Sequence, residues 1–297
     1  MKLGIIGYDT THCAVFTQKI RALAEANPRY KDLEIVFGWP GDPETAVHPE
    51  ILEKVRGQMD NLNIQTLDSL EAVVDASDGI LLESVNGDTH LEQAKMVLPS
   101  GKPTYIDKPF ANTAADAYAI ADLAVDHGTP CWSASSLRYE PNMRQAMEEA
   151  GQPFGMDVYG PAKYFEKGRG VVYYGIHTAE MLFTVMGTGI QSVQTFWHED
   201  WEFIVGTWSD GRIGTLRADR KTIARFGGVI HGDQANTSAQ FLGTGDFYGA
   251  MAEKLAEFFV SQEPPVTLDE TVQIISFLDA AVQSAEDDGA VIEFEYE

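Results

Sequence analysis

Short apolar runs, polar turns and helix-spaced apolar positions alternate steadily over roughly the first half of the chain. Residues 2–7 form a short buried-strand pattern, and Tyr8-Asp9-Thr10-Thr11 is its turn. Phe16, Ile20 and Leu23 then fall at i, i+4 and i+7, one face of a helix. Residues 33–37 are apolar again and close at Gly38-Trp39-Pro40-Gly41. This is a βαβ opening. A helical piece at 49–59, a strand-like run at 64–67 and a brief helix at 68–74 follow. Ile80 to Leu82 then runs into a polar turn, residues 83–88, and a helix carrying Leu91, Ala94, Val97 and Leu98. Ser100-Gly101-Lys102 stops that helix, and a second apolar run, 103–106, ends in Asp107-Lys108-Pro109. Strand, turn, helix, turn and strand fit in the roughly 30 residues a βαβ unit needs. A helix at 113–127, a strand at 130–135 and a helix at 142–150 complete the alternation.

Beyond residue 150 the pattern changes. Strand-like runs at 162–165, 191–197, 203–208, 213–216 and 228–230 are separated by turn signals, among them the hairpin mark Ser209-Asp210-Gly211. One strong helix, 176–186, interrupts them; helices at 247–262 and 268–286 and a closing strand at 291–296 follow. The fold expected is α/β: a doubly wound parallel sheet in residues 1–125, then a second α/β domain in 126–297 with a largely antiparallel open sheet.

The 297 residues are 44% apolar, enough for a sizeable core. With 21 Lys and Arg against 45 Asp and Glu, the net charge of −24 makes nucleic acid and anionic membrane poor partners. Cys13 and Cys131 form neither a disulfide framework nor a zinc pattern, which indicates a reducing compartment. With no leader-like start and no run approaching a membrane span, the expected location is cytoplasmic.

Candidate chemistry gathers at the carboxyl ends of the expected parallel strands, where open α/β sheets bind ligands. The first turn invites comparison with G-x-G-x-x-G, the loop that holds a dinucleotide pyrophosphate at a helix N-terminus. Gly7-Tyr8-Asp9-Thr10-Thr11-His12 keeps only the first glycine. Asp9, an anion, stands where the second glycine lets the backbone approach the phosphates. Two readings stay open: Asp9 turns away and caps the helix, leaving the amides of Thr10 to His12 for phosphate, or ordinary dinucleotide binding is lost. The acid that usually grips the adenosine ribose is missing, with Gly38 and Trp39 at that strand end. No Arg or Lys between 38 and 47 favours NADP over NAD. Trp39 either stacks on adenine or packs. His198 and His231 lack ligand spacing with nearby Cys, Asp or Glu, and no metal is expected.

Three segments together resemble the Gfo/Idh/MocA family of NAD(P)-dependent oxidoreductases. Asp107-Lys108-Pro109 is similar to the family's E-K-P, and residues 135–141, with Arg138, to the segment after the last Rossmann strand. Residues 170–177, Gly-Val-Val-Tyr-Tyr-Gly-Ile-His, are similar to its glycine-rich approach to a helix. The resemblance implies NAD as cofactor, a small-molecule substrate of the sugar or polyol class and a homodimer or homotetramer. It implies that Lys108 contacts nicotinamide ribose and substrate, and that His177 binds or deprotonates the reacting hydroxyl. Gly7, Tyr8, Thr10, Thr11, His12, Trp39, Glu83, Asn86, Asp107 and Pro109 complete the expected cofactor contacts. Tyr173 replaces the aspartate four residues before His177; it is either a third acid/base or an aromatic wall. Arg138 and Tyr174 are the expected substrate contacts, Arg138 by binding an anionic group unless local acids take it. The function expected is hydride transfer at a carbinol carbon. The alternatives are an NAD-assisted lyase or glycoside-cleaving enzyme without net redox, and a non-enzymatic sugar-sensing protein.

Overall fold

The computed structural model describes residues 1–221, 225–240 and 246–294. The elements run β1 (Lys2–Ile6), α1 (His12–Ala26), β2 (Glu34–Trp39), α2 (Pro49–Asn61), β3 (Gln65–Thr66), α3 (Leu70–Ala76), β4 (Gly79–Leu82), α4 (Gly87–Val97), β5 (Thr104–Ile106), α5 (Ala114–Asp126), β6 (Cys131–Trp132) and α6 (Pro141–Ala150). They continue with β7 (Pro153–Pro161), α7 (Val172–Met186), β8 (Ile190–His198), β9 (Trp201–Trp208), β10 (Ile213–Asp219), β11 (Gly227–Gly232), β12 (Asn236–Gln240), α8 (Phe247–Ser261), α9 (Leu268–Glu286) and β13 (Ile292–Glu293).

These elements make two compact units that are not contiguous in sequence. The first comprises Met1–Ala111, Ala115–Ala134 and Tyr248–Leu268; the second comprises Asn112–Ala114, Ser135–Phe247 and Asp269–Glu297. The division expected after residue 125 therefore falls inside α5, and the first unit continues through β6 and recovers α8. The apolar pair Phe258-Phe259 explains that return: Phe258 packs edge-on against Trp132 at 5.8 Å, and Phe259 lies under β4 beside Gly79.

In the first unit six strands are ordered β3-β2-β1-β4-β5-β6, all parallel. The order reverses between β1 and β4, the switch point at which such sheets open a ligand crevice. Strand register then decides which side chains meet there. Ile6 pairs with Leu82, and Leu82 with Ile106. The ladder runs one residue further: Glu83 N–H donates to Ile6 O at 2.7 Å and Asp107 N–H to Leu82 O at 2.8 Å. Gly7, Glu83 and Asp107 consequently leave the sheet side by side.

The second unit is a seven-stranded sheet, β12-β11-β7-β10-β9-β8-β13, antiparallel except for the parallel pair β7 and β10. Alternate residues of β9 are buried, and Trp208 joins Phe183 of α7 and Phe277 of α9 in the core. The strand expected at 162–165 is corrected to β7, whose Pro and Gly residues read as turns in sequence although it pairs on both sides. β12 is an unexpected strand. The expected closing strand is the short β13, and its last positions, 295–296, lie outside the described residues. No described helix is long and apolar enough to cross a membrane.

Candidate functional site

The first turn is held open by Gly7, whose φ of +90° and closeness to Ser84 N, 2.5 Å from where a Cβ would sit, admit glycine only. Its N–H donates to Trp39 O at 2.9 Å, and Tyr8 N–H donates to Pro40 O at 2.9 Å. The expectation that Tyr8 faces a cofactor is corrected: its side chain is fully buried, and its hydroxyl lies 1.8 Å from where a Cβ on Gly38 would be. Burial and the neighbouring Cys13 push its phenol pKa above the ordinary value. Gly38 therefore makes room for Tyr8 on a strand where the family-type ribose acid is absent. Trp39 stays half-buried.

Asp9 turns away from the helix without capping it. Its carboxylate accepts N–H bonds from Val47 at 3.0 Å and Val85 at 3.2 Å, tying together the loops that follow β2 and β4. Burial raises its pKa; the two amides pull it back down. Helix α1 begins behind Thr11 with no side-chain cap and no acidic residue in its first turn. Thr10 Oγ1 accepts the His12 N–H at 3.2 Å, so that amide is spent locally. Of the three amides expected to meet a phosphate, those of Thr10 and exposed Thr11 remain suited to it. An uncapped helix N-terminus behind the Gly7 turn fits an anion, and the Asp9 carboxylate is held by two amides of its own. A small polar cavity of about 10 Å³ adjoins this turn, walled by Asp9, Gly41, Thr45, Ser84 and Gln93.

At the ends of β4 and β5 four ionisable side chains converge. His12 Nδ1 lies 2.9 Å from Asp107 Oδ2 and 3.8 Å from Glu83 Oε2. Asp107 Oδ1 accepts the Tyr105 hydroxyl at 2.8 Å. Lys108, only 8% exposed, precedes Pro109 through a cis peptide bond. Burial pushes Glu83 well above the carboxylate range, Asp107 adds to this, and Lys108 opposes it. Burial also acts on Asp107, but His12, Lys108 and the Tyr105 hydroxyl outweigh it and hold Asp107 below that range. Asn86 is engaged at both ends of its amide, capping α4 by accepting from Asp88 N (3.1 Å) and donating to Thr45 O (3.0 Å). His90 is fully buried between the carbonyls of Ser84 (2.6 Å) and Phe110 (3.1 Å).

In the second unit the glycine-rich segment leads into α7 as expected, one turn earlier than the periodicity indicates. His177 is half-buried, with Nδ1 2.7 Å from Ser135 Oγ. Tyr174 crosses its ring edge-on at 5.2 Å, and Phe226 closes the group at 5.7 Å from His177. Tyr173 is only 5% exposed and tilts against Phe165 at 4.5 Å. Arg138 is 8% exposed, with its guanidinium paired to Glu180 at 2.7 Å and Glu270 at 2.7 Å, the local acids that compete with a substrate anion. A separate pocket of about 390 Å³ is walled by Tyr164, Arg169, Trp197 and Glu202.

Sequence reasoning did not find the His12–Glu83–Asp107 contact or the Ser135–His177 bond. His12 lies 95 positions from Asp107, and Ser135 lies 42 from His177. Only the pairing register brings the first group together.

No protein-family model and no curated protein matches this sequence. The fold has solved counterparts. GenD2 from gentamicin A biosynthesis, in complex with NAD, superposes with a TM-score of 0.80 at 14% identity, covering 100% of this chain and 97% of its own. A myo-inositol dehydrogenase from Corynebacterium glutamicum gives 0.79 at 16% identity, covering 100% and 99%. The UDP-N-acetylglucosamine 3-dehydrogenase GnnA from Acidithiobacillus ferrooxidans gives 0.74 at 16%, covering 95% and 96%. At these identities the likeness is one of fold.

Proposed function

We propose that this chain is an NAD-dependent oxidoreductase of a sugar or sugar-like polyol. The observation that carries the proposal is Lys108: a lysine 8% exposed, beside the carboxylates of Glu83 and Asp107, at the carboxyl end of β5 in a 3-2-1-4-5-6 parallel sheet. A lysine is rarely buried without a task, and this end of such a sheet is where ligands bind. The solved structures of the same fold, acting on inositol and a nucleotide sugar or holding NAD, support the substrate class and the cofactor.

The Thr10 and Thr11 amides at the start of α1 are the groups assigned to the cofactor's phosphates. When bound, NAD supplies the hydride acceptor. Lys108 is assigned to the substrate hydroxyl: its ammonium orients the oxygen, and the adjacent carboxylates hold the charge in place. In the second unit His177 is assigned a proton-handling role on the resemblance, with Ser135 Oγ 2.7 Å from one ring nitrogen. Tyr173 at the usual aspartate position is the feature that favours the lyase alternative; its packing against Phe165 at 4.5 Å speaks for the redox reading instead. A sensing protein on the same fold keeps one observation in its favour, the Asp9 carboxylate that ties the Val47 and Val85 amides across the first turn.

The test is reduction of NAD by the purified protein over a panel of inositols, free sugars and nucleotide sugars, with Lys108→Ala run in parallel. The native chain is expected to turn over one class in the panel. Lys108→Ala should lose about 100-fold or more in kcat with an unchanged circular dichroism spectrum. Undiminished turnover by Lys108→Ala would remove the assignment.

A further inference from the structure

Three potential metal ligands of the first unit meet at one buried point. The Nδ1 of His12 is 2.9 Å from Asp107 Oδ2 and 3.8 Å from Glu83 Oε2, and one ligand atom from each lies within 4.8 Å of the other two. The three residues are 9%, 1% and 0% exposed. Asp107 is already oriented, because its second oxygen accepts the Tyr105 hydroxyl at 2.8 Å while that hydroxyl also reaches Ala134 O at 3.1 Å. Glu83 provides a second, separate observation. Neither of its carboxylate oxygens has a hydrogen-bond partner, although the side chain is wholly enclosed. Buried polar atoms are almost always paired, and here an unpaired carboxylate shares one enclosed point with a histidine and a second carboxylate. Lys108 lies close enough to favour the ionised form of both carboxyl groups.

We infer that His12, Glu83 and Asp107 form a binding site for a divalent transition cation of the Zn²⁺ or Mn²⁺ type. One imidazole and two carboxylates are a borderline-to-hard donor set that suits these ions over Ca²⁺, which takes oxygen ligands alone. The printed separations suit three atoms that each stand about 2.0–2.2 Å from one ion after small side-chain adjustments. Tyr105 plays the outer part: it touches no ion and orients the Asp107 carboxylate through Oδ1, the oxygen that does not face His12. The site needs no nucleotide, so it stands or falls apart from the dehydrogenase reading.

The experiment uses the full chain, stripped with a chelator and free of nucleotide. Zn²⁺ and Mn²⁺ are titrated separately by calorimetry, and Co²⁺ is added in parallel to read its visible ligand-field bands. One ion per chain is expected, with Co²⁺ bands that report nitrogen and oxygen ligation. Glu83→Gln and His12→Gln should each weaken binding by about tenfold or more, and Tyr105→Phe by about 10- to 100-fold while leaving all three ligands in place. Circular dichroism of each variant guards against unfolding; should Glu83→Gln fail to fold, His12→Gln and Tyr105→Phe carry the test. No binding of any of the three ions by the folded native chain would overturn the inference. So would binding that survives undiminished in the variants, since the ion would then sit elsewhere. Nucleotide binding, whether present or absent, decides neither outcome.

Discussion

Asp9 stands where a dinucleotide loop carries its second glycine, and the chain resolves the clash by sequestering the charge. Its two oxygens take the Val47 and Val85 amides, a use that neither capping nor simple repulsion anticipates. Removing the acceptor leaves two backbone donors short of partners. Asp9→Ala is therefore expected to lower the unfolding free energy by about 1–3 kcal/mol in urea titration; no change would mean that the amides find other acceptors. The residue scale also shows what sequence can and cannot deliver. Gly7 and Lys108 were legible because a positive-φ turn and a lysine before proline each leave a local mark. Arg138 was legible as a cation but not as a spent one. Its partners Glu180 and Glu270 lie 42 and 132 positions away, and only the folded chain brings them to it.

Among the elements, α4 depends on a buried histidine. Both ring nitrogens of His90 face carbonyls, of Ser84 and Phe110, which favour the protonated ring; burial outweighs them and holds its pKa below the ordinary histidine value. A histidine depressed in the folded state binds fewer protons there than when unfolded. Its contribution is thus present above the unfolded value of about 6.5 and is lost as pH falls through the window below it. Melting temperature should decline on acidification from pH 7 towards 5, and His90→Gln should flatten that slope while starting lower. An identical slope in both proteins would assign the decline to other groups. The parallel sheet was readable element by element, since its buried strands are continuous apolar runs between clear turn signals. β7 was not: PFGMDVYGP breaks every composition rule for a central strand, and its place is set by pairing with β10 and β11.

The whole molecule is two units threaded discontinuously, with α8 returning to the first unit late in the chain. A pass along the sequence reads a composition change as a boundary and has no means of seeing that return, which rests on the Phe258 and Phe259 contacts. The charge of −24 stays consistent with a small-molecule ligand, and within that acidic body the uncapped start of α1 is a local exception where an anion is welcome. Everything proposed about catalysis depends on that exception. The measurement that tests it most directly is calorimetric titration of the purified chain with NAD and NADH, beside NADP and NADPH. Binding of NAD or NADH at micromolar concentration or tighter is the expected result. A well-folded protein that binds none of the four would contradict the dehydrogenase reading and leave the Asp9 tie as a closure of the first turn.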